Sequence, residues 1–518
     1  MVEKLPDSAD LNELLRRVKE RQPNAPALGF EGKSISYGEM YRQVLAFAAA
    51  LKRLGIRKGD RVALMLPNIP EFPVAYFGIL YLGAVVVPIN TMFRSREIHY
   101  ILEDSESRAV ITWEGELEAV AQAMEDLDAC EHLIALGQNL PEGVVNWQHL
   151  LRQPHEATFQ ASVLPEDPAV ILYTSGTTGR PKGAILTHRN LCSNASSAAL
   201  IGGLTSKDIS LGVLPFYHSF GQTVSMNAVF CAGGKIVLVP RFSPEAVFES
   251  IEKEHVTIFA AVPTMLKILV DYEGPAADLS SVRWLLSGGA KLERTLLEEF
   301  ERKFGIPVHE GYGLTEASPV VTFNPQGFDR KPGSVGIPLR DIEIRIVDDK
   351  GEELFPGEEG EIVVRGPNVM KGYLNRPEAT KEILRDGWLY TGDIGYTDEE
   401  GYLYIVDRKG DMIIKGGFNV YPREIEELLS HHPSIREVAV VGVPDPVQGE
   451  EVKAYVVLQP EARASSNELI DYCVSQIAKY KCPKYISFVQ SLPKNALGRV
   501  QKHLLKRGRT SREGKFPR

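Results

Sequence analysis

Tyr173–Ala184, YTSGTTGRPKGA, sets three glycines, a row of hydroxyls and one lysine side by side. Glycine lets the backbone approach an anion, hydroxyls and amides donate to phosphate oxygens, and Lys182 adds positive charge. The stretch therefore reads as a phosphate-binding loop. It is not a Walker A loop, because the spacing after Gly176 departs from G-x-x-x-x-G-K-S/T. A glycine-rich surface turn is the plain alternative. Against it stands the apolar run AVIL, which leads straight into the loop as a buried strand would.

That run is one of eight of its kind: RVALML, AVVVPIN, RAVITW, AVILYTSG, SLGVLP, KIVLVP, TIFAAVP and WLLSGGA. Each is short, apolar and followed by a helix-length segment, which points to a doubly wound α/β body with parallel sheets covered on both faces. Two stretches share a plan: Leu66-Pro67, an apolar run, Gly83 and AVVVPIN match Leu214-Pro215, an apolar run, Gly233-Gly234 and KIVLVP. From about Ser334 the texture changes. IEIRIVD, GEIVVRG and YLYIVDR, separated by turn-rich DDKGEELFPGEEG, predict a β-rich subdomain. Beyond Asp407 an α+β pattern follows: DMIIKGG, the helix PREIEELLSHH, the strands EVAVVGV and EVKAYVVL, and a helix from Ser466 to Ala478. The charged, glycine-bearing DRKGD sets the boundary. The expected organisation is a large N-terminal domain over 1–406, built of α/β subdomains plus the β-rich one, and a small mobile α+β domain over 407–518. The basic tail KRGRTSREGKFPR is expected to be disordered.

Bulk properties exclude several classes. A formal charge of -10 and a pI near 5.7 argue against a nucleic-acid binder. Five scattered cysteines, with no C-x-x-C pair, leave no disulfide framework or structural zinc site and fit a reducing cytoplasm. MVEKLPDSADLNELLRRVKE reads as a charged amphipathic helix, not a signal peptide. Val74–Asn90, the longest uncharged apolar run, is split by Gly83 and Pro88 and reads as a buried helix followed by a buried strand, so no transmembrane segment is expected.

YTSGTTGRPKGA resembles the phosphate-loop signature of the adenylate-forming superfamily of acyl-CoA synthetases, luciferases and peptide-synthetase adenylation domains, and the resemblance continues in order along nearly the whole chain. LPFYHSFG is similar to the motif that carries a histidine, here His218, beside the acyl pocket. SGGA looks like the adenine-contacting turn, with Gly288, Gly289 and Ala290. EGYGLTEAS resembles the motif that contacts adenine and α-phosphate, with Glu310, Gly311, Tyr312 and Gly313, then Thr315 on the phosphate and Glu316 on magnesium. YTGD is similar to the ribose motif, with Asp393; DRKGDMIIKGGFNVYPREIE resembles the hinge and thiolation motif.

The resemblance implies that Thr174, Ser175, Gly176, Thr177, Thr178, Gly179 and Lys182 hold the nucleotide phosphates. Thr174 would join Glu316 on Mg²⁺, Asp407 would be the pivot, Arg408 would contact ribose or phosphate, and Gly416 and Gly417 would line the CoA tunnel. The implied enzyme is an acid–thiol ligase using ATP, Mg²⁺ and coenzyme A, which forms an acyl-adenylate and then a thioester and releases AMP and pyrophosphate. Chemistry explains the residue types. A carboxylate attacking the α-phosphate meets anion repulsion, which a metal, a lysine and backbone donors offset.

One position departs from the family. LPKNALGRVQK has Arg499 where a lysine is usual, with Lys502 three residues on. Arginine keeps the charge but presents a larger planar fork. Arg499 itself, Lys502 or Lys494 could serve, or adenylation could be weakened. The style of EGYGLTEASPVVTFNP and GPNVMKGYLNRPEAT is closest to bacterial fatty acyl-CoA ligases, and Phe216–Val224 and Val262–Leu266 are apolar enough for an alkyl chain. A medium- or long-chain fatty acid is thus the expected substrate. Aromatic acids are an alternative. Arg241 is similar to an arginine of dicarboxylate-activating relatives, but their second arginine is replaced by Gly311. With no carrier domain following, a peptide-synthetase domain is disfavoured. Luciferase-like oxidation shares the scaffold, and Arg499 also suits a catalytically weak acyl-adenylate or acyl-CoA binder. Expected partners are small molecules only; peripheral membrane contact and a homodimer are both compatible with the sequence.

Overall fold

Uninterrupted runs of Val, Ile, Leu and Ala form strands where both faces of a sheet are covered. All eight runs do so here, as Arg61–Leu64, Val85–Pro88, Ser107–Trp113, Pro168–Thr174, Ile209–Gly212, Lys235–Leu238, Ile258–Ala261 and Trp284–Ser287. The computed structural model describes residues 10–152, 161–174, 181–275, 278–326, 330–408, 410–415, 418–445, 449–477, 479, 481–494, 498 and 500–506. The chain divides into two compact units. The first is Met1–Gly176, Arg180–Ile344 and Val364–Leu389; the second is Thr177–Gly179, Arg345–Val363 and Tyr390–Arg518.

The first unit carries an eight-stranded and a nine-stranded sheet, and the two share a plan. In the eight-stranded sheet the order Val85–Pro88, Arg61–Leu64, Ser107–Trp113, His132–Leu136 is parallel throughout. In the nine-stranded sheet Lys235–Leu238, Ile209–Gly212, Ile258–Ala261 and Trp284–Ser287 repeat that order and direction. The sequence similarity around the two Leu-Pro pairs therefore marks a repeated topology. Helix Glu71–Tyr81 is apolar all round and buried along almost its whole length, and strand Val85–Pro88 follows it, as the reading of Val74–Asn90 expects. Leu11–Arg21 is the amphipathic helix foreseen at the N-terminus, capped by the Asp10 carboxylate and burying Leu11, Leu14, Leu15 and Val18.

Some strands stop short of the runs that predict them. Gly289, at φ +78°, turns the chain after Ser287. Pro263 opens helix Pro263–Asp271 instead of ending TIFAAVP.

The second unit holds most of a five-stranded sheet ordered Glu343–Val347, Gly360–Arg365, Trp388–Thr397, Leu384–Arg385, with Leu403–Arg408 also on Trp388–Thr397. These are the β-rich strands expected after Ser334. A second five-stranded sheet is ordered Phe418–Val420, Ile413–Lys415, Gly449–Leu458, Ile435–Asp445, with Tyr485–Phe488 on Gly449–Leu458. Helices Pro422–Ser430 and Ser466–Gln476 pack on it through Ile425, Leu429, Leu469 and Cys473 against Ile413, Val440 and Val452. The tail expected to be disordered lies, beyond Lys506, outside the described residues. Among the described residues no helix is long and apolar enough to cross a membrane.

Candidate active site

Strand Pro168–Thr174 is continued, beyond the loop, by the antiparallel strand Lys182–Thr187, with Thr174 opposite Lys182 and Tyr173 opposite Gly183. The phosphate-loop candidate thus begins and ends on paired antiparallel strands, a feature the sequence reading lacks. Ser175, Gly176, Thr177, Thr178 and Gly179 lie outside the described residues; Thr174 and Lys182 mark the two stems. Helix Ser95–Ser105 grips both stems one turn apart. Tyr100 donates to the Pro181 carbonyl at 2.8 Å, and Tyr173 donates to Asp104 at 2.8 Å.

His218 sits on the turn after strand Ile209–Gly212, just before a π-helical segment, Gly221–Asn227. Such segments are rare and often border functional sites. Gly221 is required there, since a Cβ would stand 2.4 Å from the Pro215 carbonyl oxygen. The turn is braced from the other sheet. Asn68, only 3% exposed, donates to the Gly212 and Leu214 carbonyls at 2.8 Å each and accepts from the Phe216 amide at 3.0 Å. The Phe220 amide donates to His218 Nδ1 at 3.3 Å, which places the proton of a neutral ring on Nε2. Burial pulls the His218 pKa down to about 4, so the ring is neutral at physiological pH.

SGGA and EGYG lie on neighbouring parallel strands, with Ser287 opposite Glu310. A Cβ on Gly288 would stand 3.3 Å from the Phe220 ring and 3.5 Å from the Gly311 carbonyl oxygen, so these three residues meet. Gly289 and Ala290 are exposed beyond the strand end. Gly311 has no room for any side chain, because its Cβ would fall 2.0 Å from the Phe323 ring. Tyr312 and Gly313 complete the strand, opposite Thr322 and Val320. The Glu310 carboxylate accepts from the Gly333 amide at 2.8 Å, and burial raises its pKa to about 7.

Thr315 and Glu316 form the next turn. Thr315 Oγ1 lies 3.3 Å from Ser219 Oγ, which ties this turn to the His218 loop. Glu316 Oε1 accepts from Tyr373 at 2.6 Å, and Lys182 Nζ stands 5.2 Å from the centroid of the Tyr373 ring. Lys182, Glu316, Thr315 and His218 are thereby brought together within the first unit. Tyr373 and Asn68 are links that the sequence reading misses. Of the apolar acyl-site candidates, Leu266 belongs to the core and Phe216 packs on Phe72 at 5.6 Å. Arg241 is exposed.

In the second unit Asp393, 4% exposed, stands opposite Arg408, and Ile394 stands opposite Asp407. The Asp407 carboxylate accepts from the Arg423 amide at 3.0 Å, in the first turn of helix Pro422–Ser430. Lys502 Nζ is 2.9 Å from Glu426, which also accepts from the Val440 amide at 2.6 Å, and Lys494 pairs with Glu437 at 2.6 Å. Both lysines that could replace Arg499 are therefore engaged. Gly416, Gly417 and Arg499 lie outside the described residues, as does the Arg408 side chain.

Glu316 and Thr174 offer hard oxygen donors, and among the described residues no group of three or more His, Cys, Asp or Glu gathers to cage a metal. That donor set fits magnesium, which keeps several waters and takes its other oxygens from substrate phosphates. When bound, the ion would neutralise charge on those phosphates.

The fold and site define a nucleotide-using α/β enzyme, and comparison with known proteins gives the class. The model of the AMP-binding enzyme family matches residues 15–374, and that of the AMP-binding enzyme C-terminal domain matches residues 424–499. A long-chain-fatty-acid–CoA ligase of Bacillus subtilis is 38% identical over 525 residues, covering 96% of this chain and 94% of that protein. A feruloyl-CoA synthase of an Amycolatopsis species is 38% identical over 500 residues, 95% of this chain and 97% of that protein. The solved o-succinylbenzoate CoA synthetase of Bacillus subtilis, with ATP and a magnesium ion, is similar with a TM-score of 0.84 at 35% identity, covering 95% of this chain and 99% of that one. The chain belongs to the AMP-binding enzyme family. It is an AMP-forming acid–thiol ligase that uses ATP, Mg²⁺ and CoA.

Proposed function

We propose that this ligase activates a medium- or long-chain fatty acid, and that the adenylation site is the cluster of Lys182, His218, Thr315 and Glu316. The observation that carries the site is the Thr315–Ser219 contact of 3.3 Å, which sets the phosphate-side groups beside the histidine turn. The fatty-acid reading is supported by the Bacillus subtilis relative and by Gly311. The Phe323 ring leaves no room at Gly311 for the second arginine that the family resemblance associates with dicarboxylic acids.

In the first half-reaction the substrate carboxylate oxygen attacks the α-phosphorus of ATP, and the bond to pyrophosphate breaks. Thr174 and Lys182, with Ser175, Gly176, Thr177, Thr178 and Gly179, would hold the phosphates; Thr315 would donate to the α-phosphate; Glu316 and Thr174 would hold Mg²⁺. His218, neutral and protonated on Nε2, presents a donor beside the acyl group without adding a fixed charge. Gly288, Gly289, Ala290, Glu310, Gly311, Tyr312 and Gly313 receive adenine, Asp393 the ribose, and Arg408 the ribose or phosphate. Arg499 supplies charge to the developing transition state. In the second half-reaction the CoA sulfur, having lost its proton, attacks the acyl carbon and AMP leaves. Gly416 and Gly417 give the pantetheine arm passage, and Asp407 is the pivot between a domain of residues 1–406 and one of 407–518. The hydrogen bond from the Arg423 amide supports that assignment, because it ties the Asp407 side chain to the first turn of helix Pro422–Ser430.

Five free, buried cysteines suit a reducing cytoplasm, where we place the enzyme. Neither a homodimer nor a membrane contact is needed by this reading. A series of alkyl, aryl and dicarboxylic acids tests the substrate. Each buried methylene is expected to add about 0.8 kcal/mol until the site is filled. A kcat/KM highest for acetate, malonate or an aryl acid overturns the fatty-acid assignment.

A further inference from the structure

We infer that Tyr373 is a positioning residue for the magnesium carboxylate, and that it holds Lys182 and Glu316 apart so that each keeps its charge for the nucleotide. The inference rests on the assignment of Glu316 to Mg²⁺.

The segment around Tyr373 is stitched to both sides of the site. On one side Gly372 and Tyr373 pair with Ile185 and Ala184, Lys371 N donates to the Ile185 carbonyl at 2.9 Å, and Leu374 N donates to the Gly183 carbonyl at 2.8 Å. On the other side Met370 N donates to the Glu316 carbonyl at 2.8 Å, and Asn368 Nδ2 donates to that of Ala317 at 2.8 Å. The backbone thus fixes the spacing between the Lys182 strand and the Glu316 turn, and Tyr373 fills the interval. Its hydroxyl donates to Glu316 Oε1 at 2.6 Å while its ring faces Lys182 Nζ at 5.2 Å.

The chemical type of the partner matters. A lysine or arginine on Glu316 would cancel the charge that attracts a divalent cation. A neutral phenol fixes the carboxylate's orientation and leaves its charge and its second oxygen for the metal. The ring also supports the ammonium through its π face, an attraction that uses none of its donors. Lys182 and Glu316 form no ion pair with each other in this arrangement. Were the ring absent, a direct pair between them would compete with both phosphate and metal.

The test is Mn²⁺ binding by electron paramagnetic resonance in the presence of α,β-methylene-ATP, which cannot be adenylated. Partners that orient metal ligands are typically worth 10–100-fold in metal affinity. Tyr373→Phe, which keeps the ring, is expected to weaken Mn²⁺ about tenfold or more and to leave metal-free binding of the analogue unchanged. The Mg²⁺ concentration giving half-maximal adenylation should rise by the same factor, with excess Mg²⁺ recovering the rate. A merely structural tyrosine would lower the rate at every Mg²⁺ concentration. Tyr373→Leu, which also removes the ring, is expected to weaken the metal-free analogue as well. Glu316→Gln is the reference. If it weakens Mn²⁺ while Tyr373→Phe does not, the inference about Tyr373 fails alone. If Glu316→Gln leaves Mn²⁺ binding unchanged, the assignment of Glu316 fails, and this inference with it.

Discussion

Two buried titratable side chains of the first unit pull stability in opposite directions with pH. Glu310 goes from an ordinary value of 4.5 to about 7 because burial disfavours its charge. The folded state then binds the proton more tightly than the unfolded chain, so this contribution is full below about pH 4.5 and is lost as the pH rises through 7. His218 goes the other way, from 6.5 to about 4, and costs stability as the pH falls through that window. Glu310→Gln is therefore expected to flatten the loss of stability on raising the pH from 4.5 to 7, measured as urea midpoints across that range. An unchanged slope would place the titration elsewhere. At this scale the sequence shows residue types but not their neighbours. Lys182, Glu316 and His218 stand out because they lie in dense motifs. Tyr373 and Asn68 do not, because their partners lie 57 and up to 148 residues away.

Elements were legible where a strand's character lies in its own residues. The eight apolar runs needed no distant information, because a strand covered on both faces is apolar at every position. Two-residue strands such as Gly372–Tyr373 exist only through their partner strand, and no local pattern announces them. The π-helical turn after His218 is equally silent in sequence, apart from Gly221. Its placement depends on the brace across the sheets. Asn68→Ala would leave the Leu214 carbonyl and the Phe216 amide without their partner and the Gly212 carbonyl with the Val239 amide alone, at about 2–3 kcal/mol of stability. Asn68→Asp would retain only the bond from Phe216 and should cost nearly as much. Adenylation should fall in both variants, while binding of free ATP should change little. Full adenylation with lowered stability would reduce Asn68 to a packing role.

Across the whole chain, the proposed role of Arg499 in adenylation can be weighed against the two lysines near it in sequence. Lys494 and Lys502 each face a glutamate, and Glu426 is further held by the Val440 amide. Arg499→Ala is accordingly expected to slow acyl-adenylate formation about 100-fold or more, with thioester formation from preformed acyl-adenylate nearly untouched. Lys502→Ala should instead act on stability. It strips a partly buried carboxylate of its partner, at roughly 2–3 kcal/mol, and should leave the adenylation rate near the parent's. Pyrophosphate exchange and thermal unfolding on both variants separate the cases. A Lys502 variant that loses exchange while Arg499→Ala keeps it would reverse the assignment. The change to short alternating strands after Ser334 was readable along the sequence. The paired state of these lysines was not, since nothing local to KNALGRVQK reveals Glu426 or Glu437.

The brace also governs which stretches can be traded with a relative. Leu66–Asn68 and Leu214–Gly221 come from separate halves of the repeat, yet hydrogen bonds make them one object. Asn68 grips only main-chain atoms, the oxygens of Gly212 and Leu214 and the nitrogen of Phe216. A crossover between the halves can therefore bring in a foreign histidine loop that Asn68 still holds, provided its backbone keeps the same path. Side chains on that loop can diverge toward a new acid without loosening their mount. On the proposed assignment of the His218 loop to the acid site, recombination can thus change the substrate in one half of the repeat while the other half keeps the scaffold.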